Sequence, residues 1–275
     1  MATVANPIIV KDRRPDRLSG TPRAHALDRW IFVGMAVWFI TIVLAGFVPD
    51  SIIKVGLVRA GGRAPFPPIL HVHAVLMASF LLLLLAQSVM MATGRSARHK
   101  QIGMAAFVLV PALVVVGIIL APTIYHQVWA GAHLGPPPVR AALMPVLPRL
   151  ENILLLQLHA GILFAVFMTM ALTARSTNSG FHKRMIFLGT AIPLAASIDR
   201  MEWLPNTFPA SPMSTDGYIL LVVAPLFVWD VIRNRRVHEA YLVWAAIYLP
   251  ASLLMYQLWD TPWWHATARQ ILGAA

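Results

Sequence analysis

The side chains with the clearest chemical potential in this sequence are histidines that lie within or beside long apolar segments. The chain contains 10 His and no Cys, and without thiolates it offers no cysteine ligands for an iron–sulfur cluster or for zinc. His159 lies about nine residues inside an apolar segment, or roughly 13 Å along a helix, which is too deep for its ring to reach water easily. Its imidazole therefore needs a partner, which could be a carboxylate, a backbone carbonyl, a metal ion or a haem iron.

Two pairs of histidines on predicted helices give the hypothesis of a bound haem b. Facing helices of a bundle commonly hold haem iron between imidazoles, and His73 and His159 lie in the outer halves of two such helices. His99 and His182 form a second pair near the opposite boundary. In helix-pair layout only, this is similar to the two-haem transmembrane b-type cytochromes that transfer electrons from ascorbate.

A single transition metal ion is the alternative cofactor. His71, His73 and His159 would supply nitrogen ligands, and Asp199 and Glu202 would supply oxygen ligands, a set that suits iron, zinc or copper. His71 and His73 are two residues apart, about 200° around a helix, so only one of them can face a shared site. The two carboxylates equally suit an ion-pair cluster that ends a helix at the membrane boundary.

The composition indicates a polytopic membrane protein. Of the 275 residues 58% are hydrophobic and only 12% are charged, with a mean hydropathy of +0.69, whereas soluble domains are about 25% charged. A basic tail, 1–29, precedes one all-α membrane domain, 30–275, with seven transmembrane helices of about 20 residues each. The predicted spans are 30–48, 69–91, 102–121, 153–173, 185–204, 217–232 and 241–259.

The distribution of positive charge predicts the orientation. The net charge is +11, and the basic residues sit in the tail and in alternate short loops, fifteen on one side of the predicted membrane against seven on the other. The positive-inside rule places the N-terminus in the cytoplasm and the C-terminus outside. Because the positive charge does not cover a soluble face, we expect the chain to contact the lipid bilayer and not to bind nucleic acid. No feature specifies an oligomeric state.

Three segments repeat one pattern, in which a basic loop meets a histidine and a proline follows 11 or 12 residues later. The histidines are His99, His182 and His238, and the prolines are Pro111, Pro193 and Pro250. The pattern predicts one N-terminal helix followed by three helical hairpins. Histidines beside Lys and Arg at helix starts also suit the lipid headgroup zone without any ligand role. Prolines at equal depth would kink three helices around a central cavity.

Four strings carry a resemblance to a family of bacterial multi-helix inner-membrane proteins that has no assigned activity. They are HVHAVLMASFLLLLLAQSVMMATGRSARHKQIG, HKRMIFLGTAIPLAASIDR, VWDVIRNRRVHEAYLVW and WHATARQIL, and the resemblance covers residues 65–270. It implies the seven-span architecture and brings no site residue with it. His159 lies outside the shared motifs.

The sequence leaves three function classes open. The favoured hypothesis is a membrane redox protein that binds haem b or a metal through the histidines, with a redox protein or a small molecule as its partner. The alternatives are a small-molecule transporter or binder with a proline-kinked central cavity, and a non-catalytic subunit of a membrane complex. The proline-rich connection 122–149 is either a lid over the outer side or a spacer.

Overall fold

The computed structural model describes residues 16–18 and 24–274, and within them the chain forms helices and turns only. The α-helices are α1 (Ala26–Arg59), α2 (Pro68–Ala92), α3 (Ser96–Gly103), α4 (Ala106–Leu134), α5 (Pro137–Leu143), α6 (Leu147–Ala174), α7 (Ser179–Ala191), α8 (Ala195–Ile198), α9 (Met213–Asn234), α10 (Glu239–Leu258) and α11 (Pro262–Leu272). Short 3-10 turns, Met144–Val146 and Ile192–Leu194, precede α6 and α8.

Six helical segments within the described residues are long and apolar enough to cross a membrane. They are Ala26–Arg59, Pro68–Ala92, Ser96–Leu134, Pro137–Ala174, Met213–Asn234 and Glu239–Leu258. The protein therefore has the helices of a multi-pass membrane protein, as the composition predicts. Large apolar side chains such as Val75, Val108, Ile118 and Ile162 are exposed on these helices, as is expected of surfaces that face lipid.

The fifth predicted span, 185–204, differs from the other six. Its helix begins earlier, at Ser179, tightens into a 3-10 turn at Ile192–Leu194 and ends at Ile198. Pro193 lies in that turn and lacks the N–H that a continuous α-helix would use. Residues 199–212 are non-helical, so Asp199 and Glu202 lie beyond the helix end.

The connection predicted at 122–149 is largely helical. α4 continues to Leu134 instead of ending at 121, with Pro122 inside the helix, and α5 occupies most of the remaining stretch. Proline is tolerated inside membrane helices where neighbouring groups satisfy the freed carbonyl. A cavity of about 400 Å³ lies in this region, between the end of α4 and α5, and is lined in part by His133 and Arg140.

Helices α6 and α7 form the centre of the bundle. α7 packs along α6 and also contacts α9 and α10, while α1 contacts α2, α8 and α9. Glycines allow the closest approaches, as is common between membrane helices. A Cβ on Gly189 would lie 2.7 Å from Met168 and 2.9 Å from Phe167 of α6, and a Cβ on Gly46 of α1 would collide with the backbone at Ser197 of α8.

Contacts between turns define two ends of the bundle. Asn178, in the α6–α7 turn, donates a 2.6 Å hydrogen bond to Glu239, which follows the α9–α10 turn. These turns carry the basic residues, and we call this the basic end. The opposite end holds the start of α9, the end of α10 and helix α11.

Candidate functional site

One face of α10 carries a continuous row of aromatic and hydroxyl side chains that are turned into the bundle. The row consists of Tyr241, Trp244, Tyr248, Ser252 and Tyr256, which recur every three or four residues and so share one helix face. All five are buried or half-buried. We call this row the α10 seam, and carboxylates of α9 meet it at both ends.

At the end opposite the basic loops, Asp216 accepts hydrogen bonds from two tyrosines of the seam. The Tyr248 hydroxyl donates to Oδ1 at 2.7 Å and the Tyr256 hydroxyl donates to Oδ2 at 2.6 Å. Asp216 lies in the first turn of α9, where the helix dipole favours a negative charge. It is only 8% exposed, so these two hydrogen bonds replace most of its water contacts.

His159 of α6 approaches the same part of the seam from the other side. Its Nε2 lies 3.4 Å from Ser252 Oγ, and its ring centroid is 5.9 Å from that of Tyr248. Asp216 acts electrostatically on this imidazole. Asp199 also reaches this region, because its carboxylate accepts a hydrogen bond from Thr215, the neighbour of Asp216. The result is a chain of polar groups that leads from the start of α9 inward to His159.

At the basic end, Asp230 of α9 closes the seam. The Tyr241 hydroxyl donates to Asp230 Oδ2 at 2.9 Å and Asn234 donates to Oδ1 at 2.6 Å. Arg184 of α7 binds both oxygens of the same carboxylate. Arg184 and Asp230 are both fully buried, so each charge depends on the other for compensation.

Trp244 separates the two polar halves of the seam. Its ring stacks on Tyr248 with centroids 4.5 Å apart, and it also contacts Phe167 of α6. Its indole N–H is buried and has no hydrogen-bond partner within the described residues. Tyr241 and Tyr248 are seven residues apart, about 10 Å along the helix, and the buried Trp244 ring lies between them.

Among the described residues, no hydrogen bond or ring contact joins His73 to His159. His73 of α2 is half-buried, and within the described residues its Nδ1 is buried without a hydrogen-bond partner. His71 sets its ring edge-on to Phe66, with centroids 6.3 Å apart, and Glu202 is exposed. Across the part of the chain that the structure describes, no three His, Asp or Glu side chains form a group that could hold a metal ion.

His99 and His182 share one arrangement in successive hairpins. The His182 Nδ1 lies 2.8 Å from the Ala171 carbonyl oxygen. The His99 Nδ1 lies 3.4 Å from the Gln87 carbonyl oxygen and nearer, at 2.6 Å, to the Gln87 side-chain amide. The two rings are near enough to interact electrostatically. His238 differs, because its Nδ1 accepts a hydrogen bond from the Ala240 N–H and caps α10.

A second polar cluster, which sequence reasoning did not assemble, fixes α11 to α6. His265 lies between two carboxylates, with Nδ1 2.6 Å from Glu151 and Nε2 3.0 Å from Asp260. Asn152 donates to Asp260 at 3.0 Å, and the hydrogen bonds from Asn152 and His265 lower the pKa of Asp260. Trp264 donates to the Glu151 carbonyl. The one signal available in the sequence was a glutamate at the start of an apolar segment.

Replacing Glu151 by glutamine should loosen α11. Glu151 is 3% exposed, and the substitution turns the charge-assisted bond to His265 into a neutral one, at a cost of about 1–3 kcal/mol in unfolding free energy. Thermal unfolding in detergent, with proteolysis of the C-terminal segment, measures the effect. Arg269→Ala is the matched control, because Arg269 lies 3.9 Å from Glu151 and is half exposed, so its loss should cost less than about 0.5 kcal/mol. Equal effects of the two substitutions would contradict this account of α11.

The surroundings of His238 predict how the free energy of unfolding depends on pH. Burial, followed by the positive charge of Arg184, lowers the pKa of His238 to about 4, whereas an unfolded His titrates near 6.5. Between these values the unfolded chain binds a proton that the folded chain does not, so stability falls as the pH drops from about 6.5 to 4. With partial exposure taken into account, we expect a loss of about 1–2 kcal/mol. His238→Asn retains a capping side chain and should flatten this slope, and an unchanged slope would refute the assignment.

Comparison with protein-family models, with characterised proteins and with solved structures finds no match to this chain. Function is therefore argued from the geometry of the seam and of the histidines.

Proposed function

We propose that this is a seven-span protein of the bacterial inner membrane, with a cytoplasmic N-terminus, and that it translocates protons along the α10 seam. The six apolar helices support the multi-pass architecture. The helical path from Ser179 to Ile198 is our seventh span, and its burial against α6, α9 and α10 suits an inner helix that needs little apolar surface toward lipid. The basic turns at one end support the orientation.

The observation that carries the proposal is the polar chain between Asp216 and His159. Ionisable groups inside a membrane bundle are costly, and they are retained mainly where ions or protons pass. Asp216 and His159 both exchange protons, and the Tyr248 and Ser252 hydroxyls between them can each donate and accept. The arrangement supports proton entry at Asp216 and transfer inward to His159.

Trp244 is the gate in this proposal. Indole has one N–H donor and no acceptor, so it cannot relay a proton between Tyr248 and Tyr241. In the conformation described, the seam is therefore closed, with Asp216 on one side of the gate and Asp230 on the other. Displacement of Trp244 by a small-molecule or protein partner would connect the two halves, which is how proton movement would be coupled to that partner.

The experiment is a proton-flux measurement in vesicles. The purified protein is reconstituted into vesicles that enclose a pH-sensitive dye, and a potassium diffusion potential drives proton entry. We expect wild-type flux above that of protein-free vesicles, because transient displacement of Trp244 under the imposed potential opens the seam. We expect Asp216→Asn to reduce this protein-dependent flux by roughly 100-fold, the scale of a lost proton-transfer group. Glu151→Gln is the control, because it removes a carboxylate outside the seam. Flux equal in wild type and Asp216→Asn would refute the proposal.

A second candidate function is redox chemistry at His99 and His182. When a histidine holds its Nδ1 on a backbone carbonyl, its Nε2 is oriented as a ligand for a metal or a haem iron. His182 has this geometry, and His99 lies close enough to interact with it. Bound haem b would supply one-electron transfer. His159 fits less well, because its Nε2 already lies against Ser252. The test is the reduced-minus-oxidised visible spectrum of the purified protein.

The expected spectrum shows a sharp α-band that is lost in both His99→Ala and His182→Ala and retained in His126→Ala. A featureless spectrum, together with a metal-free preparation, would remove this candidate. If proton flux is absent as well, we favour the hypothesis of a non-catalytic subunit in a membrane complex.

A further inference from the structure

A tail segment of three residues, Asp16–Leu18, is docked into the basic end of the bundle. The Leu18 side chain is fully buried in the main core, and its carbonyl accepts a hydrogen bond from Lys183. The Arg17 N–H donates to Asn234 Oδ1 at 2.9 Å. Asp16 lies over α7, where its carboxylate meets the buried guanidinium of Arg184.

Asp16 forms a bidentate ion pair with Arg184, and we call the position of its carboxylate the seat. Arg184 Nη1 donates to Asp16 Oδ2 at 2.9 Å and Nη2 donates to Oδ1 at 3.0 Å. A guanidinium has five N–H donors, and here Asp230 takes two and the Gly180 carbonyl takes one. The two donors on Asp16 complete the set. If Asp16 leaves, two parallel N–H groups are exposed in the fork geometry that matches carboxylate or phosphate oxygens.

The charge balance shows that the seat requires an anion. Lys183 Nζ lies 2.6 Å from Asp16 Oδ2, so two cations meet here, and Asp230 is their one carboxylate partner that belongs to the bundle. His238 adds no charge near neutral pH, because its pKa is lowered to about 4. Without Asp16, Lys183 and Arg184 would share one carboxylate, and the remaining positive charge would favour binding of another anion.

The site also has space for an oxyanion. Gly180 forms its floor, and a Cβ there would lie 3.4 Å from Asp16 Oδ2, 3.5 Å from Arg184 Nη1 and 3.1 Å from His238 Nε2. Any residue larger than glycine would therefore narrow the space that the carboxylate now fills.

We propose that Arg184, Lys183 and Gly180 form an oxyanion-binding site on the basic face, that Asp16 is its tethered occupant, and that a phosphate group takes the seat when the tail leaves. The phosphate belongs to an anionic lipid headgroup or to a soluble phosphorylated molecule. Basic turns at a membrane surface attract both. This inference is independent of proton movement through the seam.

The first test uses the wild-type protein and inorganic phosphate as the probe. Trypsin cleaves after Arg17, whose backbone is held by Asn234, so release of the tail should accelerate this cut. A tethered carboxylate has an effective concentration in the millimolar range, and we expect tens of millimolar phosphate to raise the cleavage rate several-fold. Sodium chloride of equal ionic strength should raise it less. Equal acceleration by the two salts would show charge screening alone and overturn the proposal.

The second test uses Asp16→Asn, which keeps the size of the side chain and removes its charge. In neutral detergent, phosphate should raise the unfolding midpoint of this variant in a saturable way, by roughly 3 °C or more, with little change in the wild type. Adding Lys183→Gln to Asp16→Asn should reduce this phosphate-dependent shift. Asp12→Asn, which removes another tail carboxylate and keeps Asp16, is the control and should respond as the wild type does. A parallel arm compares nanodiscs of phosphatidylcholine with nanodiscs that also contain phosphatidylglycerol.

The two arms of the second test distinguish the source of the phosphate. A shift of Asp16→Asn in phosphatidylglycerol discs that exceeds its shift with free phosphate identifies a lipid headgroup, and the reverse identifies a soluble ligand. If Asp16→Asn responds to neither probe more than the wild type does, the proposal is wrong.

Discussion

Replacing Arg184 by alanine should destabilise the protein more than any other single change at its basic end. The substitution leaves Asp230 fully buried and Asp16 partly buried, without the guanidinium that binds both carboxylates. Breaking a buried ion pair by removal of one partner costs about 3–5 kcal/mol. We expect a large fall in the thermal unfolding midpoint in detergent, together with a low yield of folded protein.

Lys54→Ala is the matched control for this prediction. Lys54 also pairs with an aspartate, Asp50, at 2.7 Å, but the pair is an i,i+4 contact and both side chains are partly exposed. Its loss should cost less than about 0.5 kcal/mol. If Arg184→Ala unfolds within a degree or two of the control, the buried network contributes little and the account of the basic end is wrong. A double variant, Arg184→Met with Asp230→Leu, should recover part of the loss because it removes both buried charges.

Replacing Trp244 by alanine should turn the seam into a proton leak. The substitution leaves a cavity between Tyr241 and Tyr248, where the indole now stacks on Tyr248. Water entering that cavity would join the hydroxyl groups on its two sides. We expect proton flux in vesicles to rise by at least about tenfold over the wild type, which is the scale of a lost barrier of roughly 1.4 kcal/mol.

Two variants make the leak experiment specific. Trp244→Phe keeps an aromatic ring in the layer and should show wild-type flux, whereas Trp244→Ala combined with Asp216→Asn should lose most of the leak. The cavity also costs about 3–5 kcal/mol of stability, so each sample is first checked for a single unfolding transition. A leak that persists without Asp216 would place the proton path outside the seam.

The apolar segments could be predicted from the sequence because each one encodes its own helix. A long apolar run is identified as a membrane-spanning candidate without knowledge of its neighbours. Six of the predicted spans are confirmed as helices long and apolar enough to cross a membrane. The segment from Ser179 to Ile198 was harder, because an inner helix is defined by what packs around it. Residues such as Arg184 and Gly189 suit contacts with α6 and α9 that a single segment does not reveal.

The candidate site could be predicted only in part, because its contacts join residues far apart in the chain. The depth of His159 indicated that its ring needs a partner, and the structure places the Ser252 hydroxyl, 93 residues later, 3.4 Å from it. A hydroxyl is none of the partners expected from the sequence. The sequence does not distinguish Asp216 from other carboxylates, since a carboxylate in a first helical turn is common. Its importance comes from Tyr248 and Tyr256 on another helix, and no spacing rule connects those positions.

Histidine spacing predicted candidate pairs without predicting where the rings point. His73 lies near the start of α2 and His159 near the middle of α6, and His159 turns toward α10. His99 and His182 follow basic loops in the same way, and their rings take matching positions against backbone carbonyls. Position along a helix can be counted from the sequence, whereas ring orientation depends on neighbouring helices.

The most direct test of the central claim, that Asp216 gains and loses a proton inside the bundle, is infrared difference spectroscopy of the reconstituted protein. Spectra recorded with a proton gradient imposed across the membrane, minus spectra recorded without it, should show a protonated carboxylic acid band in the wild type. The band should shift on labelling aspartate with carbon-13, disappear in Asp216→Asn and remain in Glu151→Gln. A difference spectrum that is the same in wild type and Asp216→Asn would mean that Asp216 keeps one protonation state, and that result would contradict the account.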